Sequence, residues 1–370
     1  MSDNANVNPK TNGGVGSHAA APSAASAATS TASAPSSAST TSAPLTKKDL
    51  KSDQEVRWCP GCGDYAILNM VQTVMAGLGI AKEQMVFVSG IGCSSRFPYY
   101  MNTYGLHSIH GRAPAFATGI KTANPNLSVW LVTGDGDGLS IGGNHMAHIL
   151  RRNVDVKILL FNNQIYGLTK GQYSPTSPQG LKTKTSPMGA VDRPFNPISF
   201  ALGCNATFVA RTIDTHQKHM QSVLEAAAHH RGSAFVEIFQ NCLIFNDGCF
   251  EDVANKSVRD DRTVDMQPGK PLVFGKAHDK GVRIEAMETS VVSAAEASVW
   301  NPSTKSAAPA FVLSEMDHEK TKPTPIGIFR SVEADTFDIA ANKQVQAAIE
   351  KRGRGKLEDL IWSGETWEVT

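Results

Sequence analysis

Apolar residues along this chain recur with two periods. Behind a polar lead-in (Lys47 to Glu55) and the segment Trp58-Cys59-Pro60-Gly61-Cys62-Gly63, the positions Ile67, Leu68, Met70, Val71, Val74 and Met75 fall on one helix face. Met85-Val86-Phe87-Val88 is instead an unbroken apolar run, as expected of a strand buried on both sides. It feeds a Gly-rich loop, Ser89-Gly90-Ile91-Gly92-Cys93-Ser94-Ser95. Val129-Trp130-Leu131-Val132 predicts a second strand, ending in Gly134-Asp135-Gly136-Asp137-Gly138. A helix is expected from about Ser140 to Arg152, and Val156 to Phe161 predicts a third strand that closes in Asn162-Asn163. A strand near Phe208-Val209, a helix from about His216 to His230 and a strand at Ala234 to Phe239 continue the alternation. Short apolar strands alternating with helices predict an α/β fold, a parallel sheet with helices on both faces. Ligands in such sheets bind beyond the C-terminal strand ends, above all where strand order reverses. Each unusual motif of this chain sits at such an end.

Composition changes the picture at the two termini. From Ser17 to Thr46 the chain is almost entirely Ala, Ser, Thr and Pro, with His18 as its one ionisable side chain. Such a segment has too little apolar surface to offset the entropy of ordering it, so residues 1–50 are expected to form a disordered tail. A transit peptide would carry several arginines, and none precedes Arg57. The main domain is expected over 51–250. Residues 251–370 form a C-terminal extension with an apolar Ala310–Leu313 segment and a helical pattern near Ala334–Lys351, packing on the main domain or on another subunit. The formal charge of +1 and the lack of a basic block argue against nucleic acid as the main partner. No apolar run reaches the roughly 18–20 residues that span a bilayer, and the N-terminus has no apolar signal core. A cytoplasmic location, with no membrane partner, is the expectation. Six cysteines in a reducing compartment, two of them as Cys59-x-x-Cys62, point to a metal site or redox chemistry before disulfides.

The strongest motif is Gly134-Asp135-Gly136, then 25 residues, then Asn162-Asn163. A diphosphate ester is usually bound through Mg2+, a hard ion that takes about six oxygen ligands. Asp135 offers a carboxylate at one strand end, Asn163 an amide oxygen at the next, and the Ile165 carbonyl can supply a third ligand. The glycines allow close backbone approach, and a helix N-terminus after Gly138 would face the anion. Taken alone, Gly-Asp-Gly is more often a turn and Asn-Asn a cap; two such motifs one crossover apart favour the ligand site.

At this spacing the two motifs resemble the thiamine-diphosphate signature. The wider blocks Trp58–Leu68, Gly90–Tyr100, His110–Gly119, Gly134–His145 and Phe161–Pro175 resemble the β subunit of 2-oxoacid:ferredoxin oxidoreductases, over about residues 55 to 280. That resemblance implies the thiamine-diphosphate-binding fold, with Asp135, Asn163 and the Ile165 carbonyl on Mg2+. It also implies that Ile91, Gly92, Cys93, Ser94, His110, Gly111, Gly136, Asp137, Gly167 and Leu168 line the cofactor, and that Lys170 lies near the 2-oxoacid. By position alone Lys170 would be a solvated loop lysine. His110 could equally cap a helix, and His145 and His148 are given no role.

Four cysteines could hold zinc or a [4Fe–4S] cluster. A zinc ribbon usually shows two Cys-x-x-Cys knuckles and this chain has one; zinc is also redox-inert, whereas ferredoxin takes electrons singly. The family pattern implies Cys59, Cys62, Cys93 and a downstream cysteine as cluster ligands. Cys242 matches the family position, Cys249 is the alternative, and Cys204 is expected to pack as a small apolar side chain. The implied reaction is oxidative decarboxylation of a 2-oxoacid with coenzyme A to acyl-CoA, CO2 and reduced ferredoxin, or its reverse. The blocks Gly134–His145 and Leu168–Pro175 look closest to 2-oxoglutarate enzymes, with pyruvate and other 2-oxoacids left open. Thiamine enzymes also need a carboxylate on the aminopyrimidine ring from a second domain, which this chain is too short to hold. The expected partners are therefore an α subunit, separate or fused with a γ subunit, together with ferredoxin, coenzyme A and the 2-oxoacid. Two other readings are a non-redox thiamine-dependent decarboxylase or lyase, and a non-catalytic zinc scaffold.

Overall fold

The computed structural model describes residues 44–319 and 321–369. Most of the expected disordered tail, residues 1–43, lies outside them. The part of residues 1–50 that is described is ordered at its end. Lys47–Leu50 forms a 3-10 turn whose Leu50 is fully buried, and the Leu50 carbonyl accepts from the Asn102 N–H.

The helix after the Cys-x-x-Cys segment is α1, Asp64–Gly77. Strand β1 (Met85–Ser89) follows, then an edge strand β2 (Tyr104–His107) and helix α2 (Ala113–Ala123). Strand β3 (Ser128–Gly134) leads into α3 (Asp135–Leu139) and α4 (Gly143–Arg151), and β4 (Val156–Asn162) comes next. The pattern then runs α5 (Pro197–Gly203), β5 (Phe208–Ile213), α6 (Gln217–His229) and β6 (Ala234–Phe239). Beyond these lie β7 (Thr263–Met266), β8 (Val273–Phe274), β9 (Lys280–Glu285), β10 (Glu288–Ser293) and β11 (Thr324–Ser331), with a final long helix at Phe337–Arg352.

Eight strands form one sheet in the order β2-β1-β3-β4-β6-β5-β11-β7, and β8, β9 and β10 form a small antiparallel sheet. The first six are parallel throughout, as the apolar runs predict. β11 departs from that expectation: it lies antiparallel to β5 and parallel to β7. A reversed strand near the edge of a parallel sheet is common, because it needs no crossover helix. Residues 263–266 and 324–331 thus extend the sheet that residues 85–239 begin.

Successive strand residues point to opposite faces, and helices cover both. Val88, Leu131, Ile158 and Leu160 pack with residues of α2, α4 and α5. Phe87, Trp130, Leu159 and Phe161 pack with residues of α1 and α6. Strand order reverses between β1 and β3, since β2 lies on one side of β1 and β3 on the other. The loop Gly90–Ser95 and the Gly-Asp-Gly motif leave the C-terminal ends of those two strands.

One local expectation is corrected. The helix expected to begin after Gly138 begins at Asp135, with Gly134 as its N-cap, and it breaks over residues 140–142 before α4. The motif is therefore the first turn of a helix and not a loop ahead of one.

Candidate active site

Asp135 is almost fully buried at the end of β3, and two hydroxyls converge on its Oδ2. Ser174 Oγ donates at 2.5 Å and Thr176 Oγ1 at 2.6 Å. Burial pushes this carboxyl up to about 6, against the pull of those hydroxyls. Asn163 follows β4; its Nδ2 donates to Gln240 Oε1 at 2.8 Å and its Oδ1 accepts from the Ile165 N–H at 3.2 Å. Asp135, Asn163 and Ile165 share the wall of one cavity of about 120 Å3 with Ile91, Gly92, Cys93, Ser94, His110, Gly136, Asp137, Gly167 and Leu168. One carboxylate, one amide oxygen and one peptide carbonyl form a sparse oxygen set. It suits a cation that completes its shell from a diphosphate and water.

Asp137 ties the strand-end loops to one another. Its Oδ1 accepts from the Ile91 N–H (3.1 Å), His110 Nδ1 (2.6 Å) and the Gly111 N–H (2.7 Å), and its Oδ2 accepts from Thr133 Oγ1 (2.6 Å). Glycine is required at two of these contacts. A Cβ at Gly90 would lie 1.8 Å from Asp137 Oδ2, and one at Gly136 would lie 2.2 Å from the Tyr166 ring. Tyr166 Oη in turn donates to the Gly136 carbonyl at 2.9 Å. Gly111 does not itself line the cavity; its backbone, at φ +73°, holds Asp137 from below.

The cysteines gather next to this cavity. Trp58, packed between Tyr65 and Tyr100, donates its Nε1–H to the Cys93 carbonyl at 2.6 Å and so fixes the Cys59–Cys62 turn against the β1 loop. Gln240 Nε2 donates to Cys62 Sγ at 3.3 Å, which brings the end of β6 to the same turn. Cys59, Cys62, Cys93 and Cys242 together line a second cavity of about 270 Å3, whose wall also holds Arg57, Arg96 and Lys170. Among the described residues, no three His, Cys, Asp or Glu side chains converge closely enough to hold one metal ion.

Burial raises the Cys62 and Cys93 thiols, Cys93 to about 11, and the Asp64 carboxylate raises both further. Burial raises Cys242 too, opposed by the backbone N–H groups of Phe245, Ile244 and Asn246. Cys249 stands elsewhere, with its Sγ 3.6 Å from the Asn163 carbonyl, in a cavity that also holds Arg211 and Thr176. Cys204 is half-buried against the core on the α5 side, as expected of an apolar packing role.

The two cavities share Cys93, Asn163, Gly167 and Leu168. A Cβ at Gly167 would lie 3.5 Å from Cys242 Sγ and 3.7 Å from Cys93 Sγ. Lys170 lies on the exposed turn after that wall, at φ +75°, and lines the cysteine cavity and not the diphosphate one. Sequence reasoning missed Ser174, Thr176, Asp64 and Gln240. The Ser174-Pro175-Thr176-Ser177 run was a readable cluster of hydroxyls, but nothing in its spacing pointed to Asp135.

Residues 90–238 match the family model of the thiamine pyrophosphate enzymes, C-terminal TPP binding domain. The chain is 52% identical over 336 residues to 2-oxoglutarate oxidoreductase subunit KorB of Mycobacterium tuberculosis, covering 89% of this chain and 90% of that one. It is 49% identical over 190 residues to 2-oxoacid:ferredoxin oxidoreductase 1, subunit beta, of Aeropyrum pernix, covering 51% of this chain and 60% of that one. Among solved structures, it is similar to a 2-oxoglutarate:ferredoxin oxidoreductase from Magnetococcus marinus with 2-oxoglutarate, coenzyme A and succinyl-CoA bound. The TM-score is 0.67 at 34% identity, covering 86% of this chain and 95% of that one.

Proposed function

The chain belongs to the β subunits of the 2-oxoglutarate and 2-oxoacid:ferredoxin oxidoreductases, and from that premise we propose that it builds a site for two cofactors against one wall. Such a subunit acts with an α subunit, which supplies the second half of the thiamine site. The reaction proposed is coenzyme-A-dependent oxidative decarboxylation of 2-oxoglutarate to an acyl-CoA, CO2 and reduced ferredoxin.

Thiamine diphosphate, when bound, supplies the carbon nucleophile and electron sink for decarboxylation. The residues of this chain hold and orient it. Asp135, Asn163 and the Ile165 carbonyl would hold Mg2+, and the two hydroxyls on Asp135 Oδ2 leave its other oxygen to the cation. Ile91, Gly92, Ser94, Gly136, Gly167 and Leu168 would line the cofactor, with His110 and Gly111 set by Asp137. Cys59, Cys62, Cys93 and Cys242 would ligate a [4Fe–4S] cluster. Zinc is redox-inert, whereas a cluster can pass electrons singly to ferredoxin, and the four cysteines lining one cavity support the cluster. Lys170 would meet a substrate carboxylate as a point charge. Among the described residues no helix is long and apolar enough to cross a membrane, and a cytoplasmic site suits thiols kept reduced.

The observation that carries this reading is the wall shared by the two cavities. A cluster held by the four cysteines would adjoin thiamine diphosphate held in the smaller cavity, with Cys93, Asn163, Gly167 and Leu168 between them. The test is co-purification with the partner subunit, followed by coenzyme-A-dependent viologen reduction with a panel of 2-oxoacids. Highest kcat/KM for 2-oxoglutarate is expected. Preference for pyruvate would reassign the substrate, and 2-oxoacid decarboxylation without viologen reduction would overturn the redox reading.

A further inference from the structure

The hydroxyls on Asp135 belong to a longer line of contacts that the Gly-Asp-Gly and Asn-Asn motifs do not contain. Thr176 Oγ1, which donates to Asp135 Oδ2, also lies 2.9 Å from Asn162 Oδ1. Asn162 Nδ2 donates to Glu237 Oε1 at 2.7 Å. Glu237 is fully buried in the middle of β6, and Arg211 on β5 donates its Nε–H to Glu237 Oε2 at 2.7 Å. Arg211 then grips Asp317 with both ends of its guanidinium, at 2.9 and 2.6 Å. Asp317 belongs to the short helical turn that precedes β11.

A buried ion pair is not explained by stability, because its desolvation usually cancels its attraction. It does fix orientation. An ionised Glu237 can only accept, so it takes the Nδ2 side of Asn162 and turns Oδ1 toward Thr176 and the Gln164 N–H, 3.2 Å away. The single hydroxyl proton of Thr176 then has two acceptors, Asp135 Oδ2 at 2.6 Å and Asn162 Oδ1 at 2.9 Å, so the setting of Asn162 decides how much of that hydrogen bond Asp135 receives. Arg211 occupies Glu237 Oε2 and leaves Oε1 to the amide of Asn162.

We propose that Arg211, Glu237 and Asp317 are positioning residues for the Mg2+–diphosphate site, acting through Asn162 and Thr176 on the carboxylate of Asp135. This rests on the reading of Asp135 as the cation ligand. It gives the first asparagine of the Asn-Asn pair a task distinct from that of Asn163. It also makes the turn before β11 part of what sets cofactor affinity.

The test is calorimetric titration of the purified α–β complex with thiamine diphosphate over a series of Mg2+ concentrations. Thr176→Val is expected to raise the Mg2+ half-saturation by about 10-fold or more, within the range for lost outer-shell partners. Asp317→Asn should raise it about 3-fold, and Thr176→Ser, which keeps the hydroxyl, should leave it near wild type. Thermal unfolding of each variant is recorded alongside. Folded Thr176→Val and Asp317→Asn complexes with wild-type Mg2+ dependence would overturn the proposal, even if both melt earlier. So would an equal loss in Thr176→Ser. If the wild-type complex binds thiamine diphosphate with no dependence on Mg2+, the reading of Asp135 fails and the proposal falls with it.

Discussion

Cys242 and Cys249 are seven residues apart, and the proposed cluster needs one of them. The two substitutions Cys242→Ser and Cys249→Ser separate the cases. Cys242 lines the cavity that Cys59, Cys62 and Cys93 line, where burial raises its thiol and three backbone N–H groups oppose that rise. Cys249 faces the Asn163 carbonyl, and burial followed by the charge of Asp135 pushes its thiol up to about 12. To serve as a ligand it would have to leave its own cavity for the one that Cys59, Cys62 and Cys93 line. Loss of an outer-shell partner alone typically costs 10–100-fold in metal affinity, so loss of a direct ligand should cost at least about 100-fold. Cys242→Ser is therefore expected to fall from about four iron atoms per chain to a small fraction, losing the broad visible absorbance and coenzyme-A-dependent viologen reduction together. Cys249→Ser should keep iron, colour and most activity, at a stability cost of about 1 kcal/mol for a weakened hydrogen bond. Iron and absorbance measured on the as-purified complex decide the matter. A colourless Cys249→Ser beside a brown Cys242→Ser would refute the assignment.

Gly136→Ala would put a methyl group 2.2 Å from the Tyr166 ring and break the Tyr166–Gly136 hydrogen bond, so thiamine diphosphate binding should weaken by about 1–3 kcal/mol while the fold persists. Unchanged affinity by calorimetry would show that Tyr166 yields without cost. Lys170→Met should raise KM for 2-oxoglutarate about 10-fold or more with a smaller change in kcat, as expected when a point charge on a substrate carboxylate is lost; equal KM values in steady-state kinetics would remove Lys170 from the substrate site. His216 and His230 are both held near 4, first by burial and then by neighbouring positive charge. Their folded values lie below the unfolded value of about 6.5, so they favour the folded state fully above that pH, and the benefit is lost as pH falls toward 4. Allowing for their partial exposure, each should contribute about 1–2 kcal/mol to acid destabilisation across that window, and His230→Asn should flatten the slope of urea-unfolding free energy against pH.

How much of this could be read from the sequence depends on what each residue leaves in the pattern. The six parallel strands that carry the site were legible wherever burial on both faces produced an unbroken apolar run, as in Val129–Val132 and Ala234–Phe239. The edge strand Tyr104–His107 left no such run, because it is mostly exposed. Helix α3 was misplaced because glycine is a poor helix former, so a turn written Asp135-Gly136-Asp137-Gly138 reads as loop. Packing overrides that preference: Gly136 lies under the Tyr166 ring, where a Cβ would come within 2.2 Å. Asp135, Asn163 and the cavity-lining cysteines were readable as candidates because Gly-Asp-Gly, Asn-Asn and Cys-x-x-Cys keep residue types at fixed spacing. Ser174 and Thr176 were not, since a hydroxyl in a loop carries no spacing that names its acceptor.

The buried pair stands between these cases, and its signal was available. Phe208-Val209-Ala210-Arg211-Thr212-Ile213 and Ala234-Phe235-Val236-Glu237-Ile238-Phe239 each place one full charge, of opposite sign, fourth in an apolar strand. A charge in a strand buried on both faces must find a partner, and the partner must come from a neighbouring strand at the same level. Register alignment does pair Arg211 with Glu237 across β5 and β6. What chain order did not supply was β6 lying beside β4, since β6 enters the sheet between β4 and β5. That same insertion brings Glu237 within reach of Asn162 on β4 and carries Gln240 and Cys242 to the cysteine cavity. One topological choice, the seating of β6 beside β4, therefore sets both the orientation of Asn162 and the position of Cys242.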